Sequence, residues 1–273
     1  MQTWVNGRLL DDPRSPVLPV TEHGFTVGDG VFESVKVVDG QPFALTRHLD
    51  RLVASARGLG LDEPDNAEVR RAVAVVLAAE QLPLGRLRIT WTAGEGPLGS
   101  GRSDGPGTLA VAAVPLEARE ESTVVATVPW TRNERSALAG LKTTSYAENV
   151  LALAEARRRG ASEAIFPNTR GLLCEGTGTN VFYVADGELR TPTLASGCLA
   201  GVTRALVLAW IGAVEIDAPI EVLAGAEEIF LASTTRDIQP VRRCDDRDLA
   251  APGPVTRAAM EKWARRAAEG VDP

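Results

Sequence analysis

A primary amine is the side-chain group that condenses reversibly with an aldehyde, and only three residues of this 273-residue chain carry one: Lys36, Lys142 and Lys262. The rest of the 29 Lys and Arg residues are arginines, whose guanidinium stays protonated and forms no imine. Lys36 sits in Phe32-Glu33-Ser34-Val35-Lys36-Val37-Val38, where alternation turns Val35 and Val37 to one face and Lys36 with Ser34 to the other. That is the pattern of a solvated strand lysine. Lys262 lies among Glu261, Arg265 and Arg266 near the C-terminus, a surface setting. Lys142 follows Gly140-Leu141 and precedes Thr143-Thr144-Ser145-Tyr146, just ahead of a helical stretch. Its local sequence leaves two readings open, a loop lysine near a helix cap and a reactive amine.

Three other stretches could serve chemistry. Glu175-Gly176-Thr177-Gly178-Thr179-Asn180 sets a carboxylate before a glycine-rich turn; as a dinucleotide fingerprint it fails, because Val181 stands where the last glycine is needed. Gly201-Val202-Thr203-Arg204 opens a helix, whose free N–H groups and dipole attract an anion such as phosphate. Ala232-Ser233-Thr234-Thr235 ends a strand in three hydroxyls. Taken singly, each is a common structural feature.

Composition narrows the field. His23 and His48 are the only histidines, which leaves little material for a metal site or a serine triad, and no metal is expected. Cys174, Cys198 and Cys244 form no C-x-x-C pair and cannot build a disulfide framework, which points to a reducing, cytoplasmic setting. A net charge of −7 offers no basic face for nucleic acid. The longest apolar run, Ala72 to Ala79, is too short to span a bilayer, and Met1 to Arg14 is not a signal peptide.

The elements that must position these groups follow from periodicity. Trp4 to Leu10 reads as a hairpin about Asn6-Gly7, and Val31 to Val38 as a strand turned by Asp39-Gly40 into a partner at Pro42 to Leu45. Thr46 is the expected cap of a helix to Arg57, with Leu49, Leu52, Val53 and Ala56 on its apolar face, and Asn66 the cap of a helix to Gln81. Strands are expected at Arg86–Ala93 and Leu109–Val114, with a mobile glycine-rich loop from Gly94 to Gly107 between them. Further on, the pattern predicts strands at 123–128, 163–166, 181–184, 188–191, 228–232 and 238–241. Helices are predicted from Tyr146 to Arg159, from a Thr203 cap to Ile211, and from Val255 to Ala268. The mixture predicts an α/β or α+β architecture with two domains, 1–115 and 122–273, joined by a linker at 116–121.

The order of the motifs is more specific than any one of them. Gly28-Asp29-Gly30-Val31-Phe32-Glu33, Arg47-His48-Leu49-Asp50-Arg51-Leu52, Lys142, the Glu175 turn, Gly201-Val202-Thr203-Arg204 and Ser233-Thr234-Thr235, in that sequence, resemble the class IV aminotransferases. These are the fold-type IV pyridoxal-phosphate enzymes, which include D-amino-acid and branched-chain transaminases and aminodeoxychorismate lyases. The resemblance implies a small N-terminal α/β domain, a larger C-terminal domain with a barrel-like sheet, and a homodimer. It implies that Lys142 is the catalytic residue and forms a Schiff base with pyridoxal 5'-phosphate. Arg51, Val202, Thr203, Ser233 and Thr234 would then hold the cofactor phosphate, Glu175 the pyridine nitrogen and Tyr146 the phenolic oxygen. Phe25, Phe32, Arg102 and Thr235 are the candidates for substrate contact.

Within the family, Gly28 to Val37 is close to the D-amino-acid transaminase pattern, with Phe32 where tyrosine is common. The Arg-x-His pair that clamps a substrate carboxylate in that group has no counterpart in Ile89-Thr90-Trp91-Thr92-Ala93-Gly94, and Arg102 is a possible substitute. The expected activity is amino-group transfer between a D-amino acid and a 2-oxo acid. Its alternative is the lyase reaction that releases pyruvate and 4-aminobenzoate. A non-catalytic binder of a phosphorylated ligand is the reading from another class.

Overall fold

Alternation along one long strand sets the first layer. In Gly30–Val38, Val31, Val35 and Val37 are fully buried in an apolar core, so Phe32, Ser34 and Lys36 face the other side. The computed structural model describes residues 1–273. They fall into one unit of Met1–Ala118, Leu141–Tyr146 and Val271–Pro273, and a second of Arg119–Gly140 and Ala147–Gly270. No helix is long and apolar enough to cross a membrane.

The first unit holds β1 (Gln2–Val5), β2 (Arg8–Leu9), β3 (Gly30–Val38), β4 (Gln41–Pro42), β5 (Leu84–Thr92) and β6 (Thr108–Pro115) in one sheet of order β2-β1-β6-β5-β3-β4. All its pairings are antiparallel. The β3–β5 register sets Phe32 opposite Thr90, Ser34 opposite Arg88 and Lys36 opposite Arg86, so these side chains share the face away from the core. The core face is covered by α2 (Leu45–Leu59) and α3 (Asn66–Ala79), and a short α1 (His23–Thr26) precedes β3. Leu45, Leu49, Leu52 and Ala56 form the buried stripe of α2, which ends on Gly60 at φ 71°.

In this unit two caps differ from expectation. The residue before α2 is Ala44, left-handed at φ 56°, with no side-chain cap. Thr46 lies inside the first turn instead, donating N–H (2.9 Å) and Oγ1–H (2.5 Å) to the Asp272 carboxylate. That distant carboxylate does the work of a cap, favoured by the helix dipole. On α3 the cap is Asp65, accepting from Ala67 N, rather than Asn66.

Leu141–Tyr146 clusters with the first unit although it follows 22 residues of the second. The reason is backbone pairing with β3: Phe32 N donates to Lys142 O (2.9 Å), Thr144 N donates to Gly30 O (2.8 Å), and Thr143 bridges Val31. Sequence spacing of this length gives no hint of such a contact.

The second unit holds β7 (Thr123–Thr127), β8 (Glu163–Pro167), β9 (Leu173–Gly176), β10 (Asn180–Ala185), β11 (Glu188–Thr191), β12 (Val214–Glu215), β13 (Glu228–Ser233), β14 (Asp237–Cys244) and β15 (Arg247–Asp248). Their order is β12-β11-β10-β13-β14-β7-β8-β9, with β15 on β14. β9 also lies against β10, curling the sheet towards a barrel. Val125, Ile165, Val181, Ile229, Leu231 and Val241 fill one face. Ala126, Ala164 and Phe166 turn the other way and pack on Ala152 and Ala156 of α4 (Ala147–Arg158).

Tyr146 precedes α4 rather than opening it. The remaining helices are α5 (Val202–Trp210), α6 (Val222–Gly225) and α7 (Pro254–Ala267). Thr203 is not the cap of α5; Gly201 is, and Thr203 is buried in the first turn. A Cβ at Gly201 would run into the Asn180 amide, which explains why a bare residue holds the cap position.

Candidate functional site

In the first unit, groups gather on the Phe32 ring. The Lys142 Nζ stands 4.5 Å from the ring centroid and the Arg88 guanidinium 3.4 Å from it. The Tyr146 ring meets it edge-on at 5.2 Å. Both cations stand against the ring, whose quadrupole attracts them. The Lys142 backbone is fixed by the Phe32 bond and by N–H donation to Ser55 Oγ (3.2 Å), so its side chain starts from a defined point. Arg88 also donates to Thr90 Oγ1 (3.3 Å), and burial pulls its pKa below the ordinary arginine value.

Arg51 stands on α2 beside a carboxylate from β3. Its Nε donates to Glu33 Oε1 and its Nη2 to Glu33 Oε2, both at 2.7 Å, while His48 Nδ1 lies 2.7 Å from Oε2. Burial would raise the Glu33 pKa, yet the Arg51 charge and the bonds from Arg51 and His48 outweigh it and hold the pKa down to about 2. Burial also lowers the His48 pKa, which leaves the ring neutral at pH 7 with Nδ1–H as the donor to this anion.

The two other substrate candidates in this unit lie elsewhere. Arg102 donates to both Asp29 oxygens (2.7 and 2.6 Å) and to the Leu59 and Gly60 carbonyls (2.9 and 2.6 Å). Its guanidinium therefore tethers the 94–107 stretch that composition alone describes as mobile. A His23 Nε2 contact with Pro97 O adds a second tether. Phe25 on α1 is 75% exposed.

In the second unit, Glu175 ends β9 with its Oε2 accepting from Leu199 N (2.9 Å) and its Oε1 3.5 Å from Arg132 Nε. Arg132 lies over the Phe166 ring and pairs with Glu148 at 2.6 Å. The glycine turn beyond Glu175 is held from beneath. Buried Glu163 accepts Thr177 N (2.8 Å), the Thr177 hydroxyl and Arg236 Nη2 (3.2 Å), and Asn149 Nδ2 donates to Thr177 O (2.6 Å). Val202 and Thr203 supply first-turn N–H groups of α5, which lack helical acceptors. Ser233 faces Asp237 across the β13–β14 hairpin, Thr234 follows it, and Thr235 Oγ1 accepts from Arg119 (3.1 Å).

Sequence reasoning missed Arg88, Arg132 and the pairing of Glu33 with His48 and Arg51. Alternation held a signal for Arg88 and for Glu33 itself: Arg86-x-Arg88 repeats on the polar face of β5, and Glu33 falls in register with Val31, Val35 and Val37 on the buried face of β3.

The donor types match what pyridoxal phosphate requires. Lys142 offers an amine on an apolar ring. A half-buried carboxylate at Glu175 suits a protonated ring nitrogen. Arg51 in the first unit and, taken by itself, the helix N-terminus at Gly201 in the second are each donor types that suit a dianionic phosphate.

Comparison with known proteins agrees. The model of the family "Amino-transferase class IV" matches residues 30–244. A Methanocaldococcus jannaschii protein assigned by name as a branched-chain-amino-acid aminotransferase is 33% identical over 275 residues, covering 96% of this chain and 95% of its own. A Mycobacterium tuberculosis protein named bifunctional aminodeoxychorismate lyase / D-amino acid transaminase is 32% identical over 206 residues, 69% of this chain and 68% of its own. Among solved structures, the branched-chain aminotransferase of Thermoproteus uzoniensis superposes with a TM-score of 0.89 at 30% identity, covering 97% of this chain and 94% of that one. A Mycobacterium tuberculosis aminotransferase in its PLP-bound form gives 0.86 at 28% identity, covering 97% and 98%. The chain belongs to the class IV aminotransferases and is a pyridoxal-phosphate-dependent enzyme.

Proposed function

We propose that this enzyme moves an amino group between a D-amino acid and a 2-oxo acid, with Lys142 as its catalytic amine. The observation that carries the reading is the shared Phe32 ring, against which the Lys142 Nζ and the Arg88 guanidinium both stand. A reactive amine beside a fixed cation suits a substrate with an amino group and a carboxylate on one carbon.

Bound pyridoxal phosphate supplies an aldehyde and an electron sink for negative charge at the substrate Cα. Lys142 would hold the cofactor through Nζ, and the same nitrogen would move the proton at the substrate Cα. Phe32 keeps water from one side of that nitrogen. Arg88 takes the substrate carboxylate, because the Arg102 fork is committed to Asp29 and two carbonyls. Arg51, the first-turn N–H groups at Val202 and Thr203, and the hydroxyls at Ser233 and Thr234 take the phosphate. Glu175 keeps the ring nitrogen protonated, and Tyr146 binds the phenolic oxygen. Phe25 and Thr235 remain substrate contacts in this reading, and the enzyme works as a homodimer.

The D-amino acid is supported by the Gly28 to Val37 stretch and by the Mycobacterium tuberculosis relative whose name includes that activity. The same name supports a second reading, the aminodeoxychorismate lyase reaction, as does the missing Arg-x-His pair.

One experiment separates these outcomes. The purified enzyme is given D-alanine, or L-leucine, with 2-oxoglutarate, and separately aminodeoxychorismate; glutamate, pyruvate and 4-aminobenzoate are quantified. Glutamate formed faster from D-alanine supports the proposal. Faster turnover of L-leucine makes it a branched-chain enzyme, and dominant 4-aminobenzoate release makes it a lyase. Lys142→Ala abolishes every turnover, and a variant that still turns over would remove Lys142 from the mechanism.

A further inference from the structure

We propose that Glu33 is a positioning residue for the cofactor phosphate: with His48 bracing it, it fixes the Arg51 guanidinium in its receiving orientation before the cofactor arrives. This rests on the reading of Arg51 as a phosphate ligand.

β3 carries an anomaly. Val31, Val35 and Val37 face the apolar core, and Glu33 faces it with them at 0% exposure. A carboxylate there is costly unless fully partnered. The fold partners it with three donors on one helix. Arg51 meets both oxygens fork to fork, and His48, itself 1% exposed, approaches Oε2 from one turn earlier on α2. His48 is neutral here and brings one donor without a competing charge.

What this does to Arg51 is specific. A guanidinium carries five N–H groups in one plane. Glu33 takes one from Nε and one from Nη2, along a single edge. Arg51 therefore cannot turn that edge to a phosphate. The plane of the fork is set by a strand, not by the ligand. A long side chain whose rotors are frozen beforehand loses less freedom on binding, which strengthens the complex. A carboxylate that served only to neutralise a buried arginine would affect all ligands alike. A positioning carboxylate affects the phosphate selectively.

The test compares two ligands that differ by the phosphate alone. The full chain is stripped of cofactor, and dissociation constants for pyridoxal phosphate and for pyridoxal are measured by absorbance in wild type, Glu33→Gln, Arg51→Gln and the double variant. Wild type prefers the phosphate form. Glu33→Gln should cut that preference about 10-fold or more and leave pyridoxal affinity within about 3-fold, while the double variant should be no worse than Arg51→Gln alone. An equal loss for both ligands, or additive losses in the double variant, overturns the proposal. An unchanged preference in Arg51→Gln is a separate result and removes the Arg51 assignment itself. Should Glu33→Gln not fold, the wild-type apoprotein still decides. Its Arg51 Nε–H nitrogen signal is expected to exchange slowly with solvent before any ligand is added. Protection that begins only with pyridoxal phosphate overturns the proposal.

Discussion

Each unit pairs a glutamate with an arginine, and the two pairs are built to opposite specifications. Glu33 and Arg51 meet at 2.7 Å through two parallel bonds, with the carboxylate fully buried and a histidine closing the third side. Glu175 and Arg132 stand 3.5 Å apart, beyond the length of a charge-assisted bond, with both side chains partly exposed. Arg132 Nε is buried and makes no hydrogen bond, and its other end pairs with half-exposed Glu148. The first pair is a finished joint in the framework, and nothing in it can be exchanged without leaving a buried charge. The second is an electrostatic setting around a carboxylate near the end of a strand. The same two residue types thus give rigidity in one pair and adaptability in the other, according to how completely the fold desolvates and satisfies them.

The contrast has its largest expected consequence in stability. Glu33→Ala leaves Arg51 and His48 without their anion and should cost about 3–5 kcal/mol, the usual penalty for breaking a buried pair from one side. Denaturant unfolding followed by circular dichroism measures it. A loss under about 1 kcal/mol would mean that the pair is solvated, and the comparison would fail.

Acid should reveal the same joint. The folded Glu33 pKa is depressed from 4.5 to about 2, so its contribution is fully present above 4.5 and is lost as the pH falls from 4.5 towards 2. His48 adds an earlier step of the same sign. Its folded pKa lies below 6.5, so unfolding takes up a proton as the pH drops through 6.5, and stability declines from there. Unfolding free energies at pH 7, 5.5, 4 and 3 should fall more steeply in wild type than in Glu33→Gln below pH 4.5. Parallel curves would show that Glu33 does not carry the acid response.

A smaller effect is expected at the start of the helix that carries Arg51. Asp272 replaces a side-chain cap on α2, so Asp272→Ala should cost about 1 kcal/mol. Thr46→Ala in that background should add little, since its partner is already gone. Independent, additive losses would mean that Asp272 does not act through Thr46.

Much of the architecture could be read from alternation and helical periodicity because those signals are local. The strands at 31–38 and 86–93, the apolar stripe of α2 and the glycine stop at Gly160 all depend on neighbours within a few residues. The misplaced caps show where locality ends. Thr46 is bonded to a residue 226 positions away, and Thr203 yields the cap to Gly201 because the Asn180 side chain leaves no room there. The motif order located Lys142 and Phe32, and the structure brings them together through backbone bonds across 110 positions that no periodicity encodes. Glu33 was visible as a carboxylate on an apolar face, yet its partners at 48 and 51 depend on how α2 crosses β3. Arg102 lay in a loop rich in glycine, and only Asp29 with the Leu59 and Gly60 carbonyls reveals it as a tether.

The smallest expected change in stability tests the other half of the comparison. Arg132→Gln removes the cation beside Glu175, but its ion pairs are partly exposed and Leu199 N still holds Glu175 Oε2. The unfolding free energy should move by about 0–1 kcal/mol. Removing that positive charge nevertheless disfavours the ionised form of Glu175. Turnover should therefore fall more than stability does, and its pH profile should shift where that of Arg51→Gln does not. Were Arg132→Gln to destabilise the fold as much as Glu33→Ala, the second pair would be as rigid a joint as the first. The difference between the two units would then be one of exposure alone.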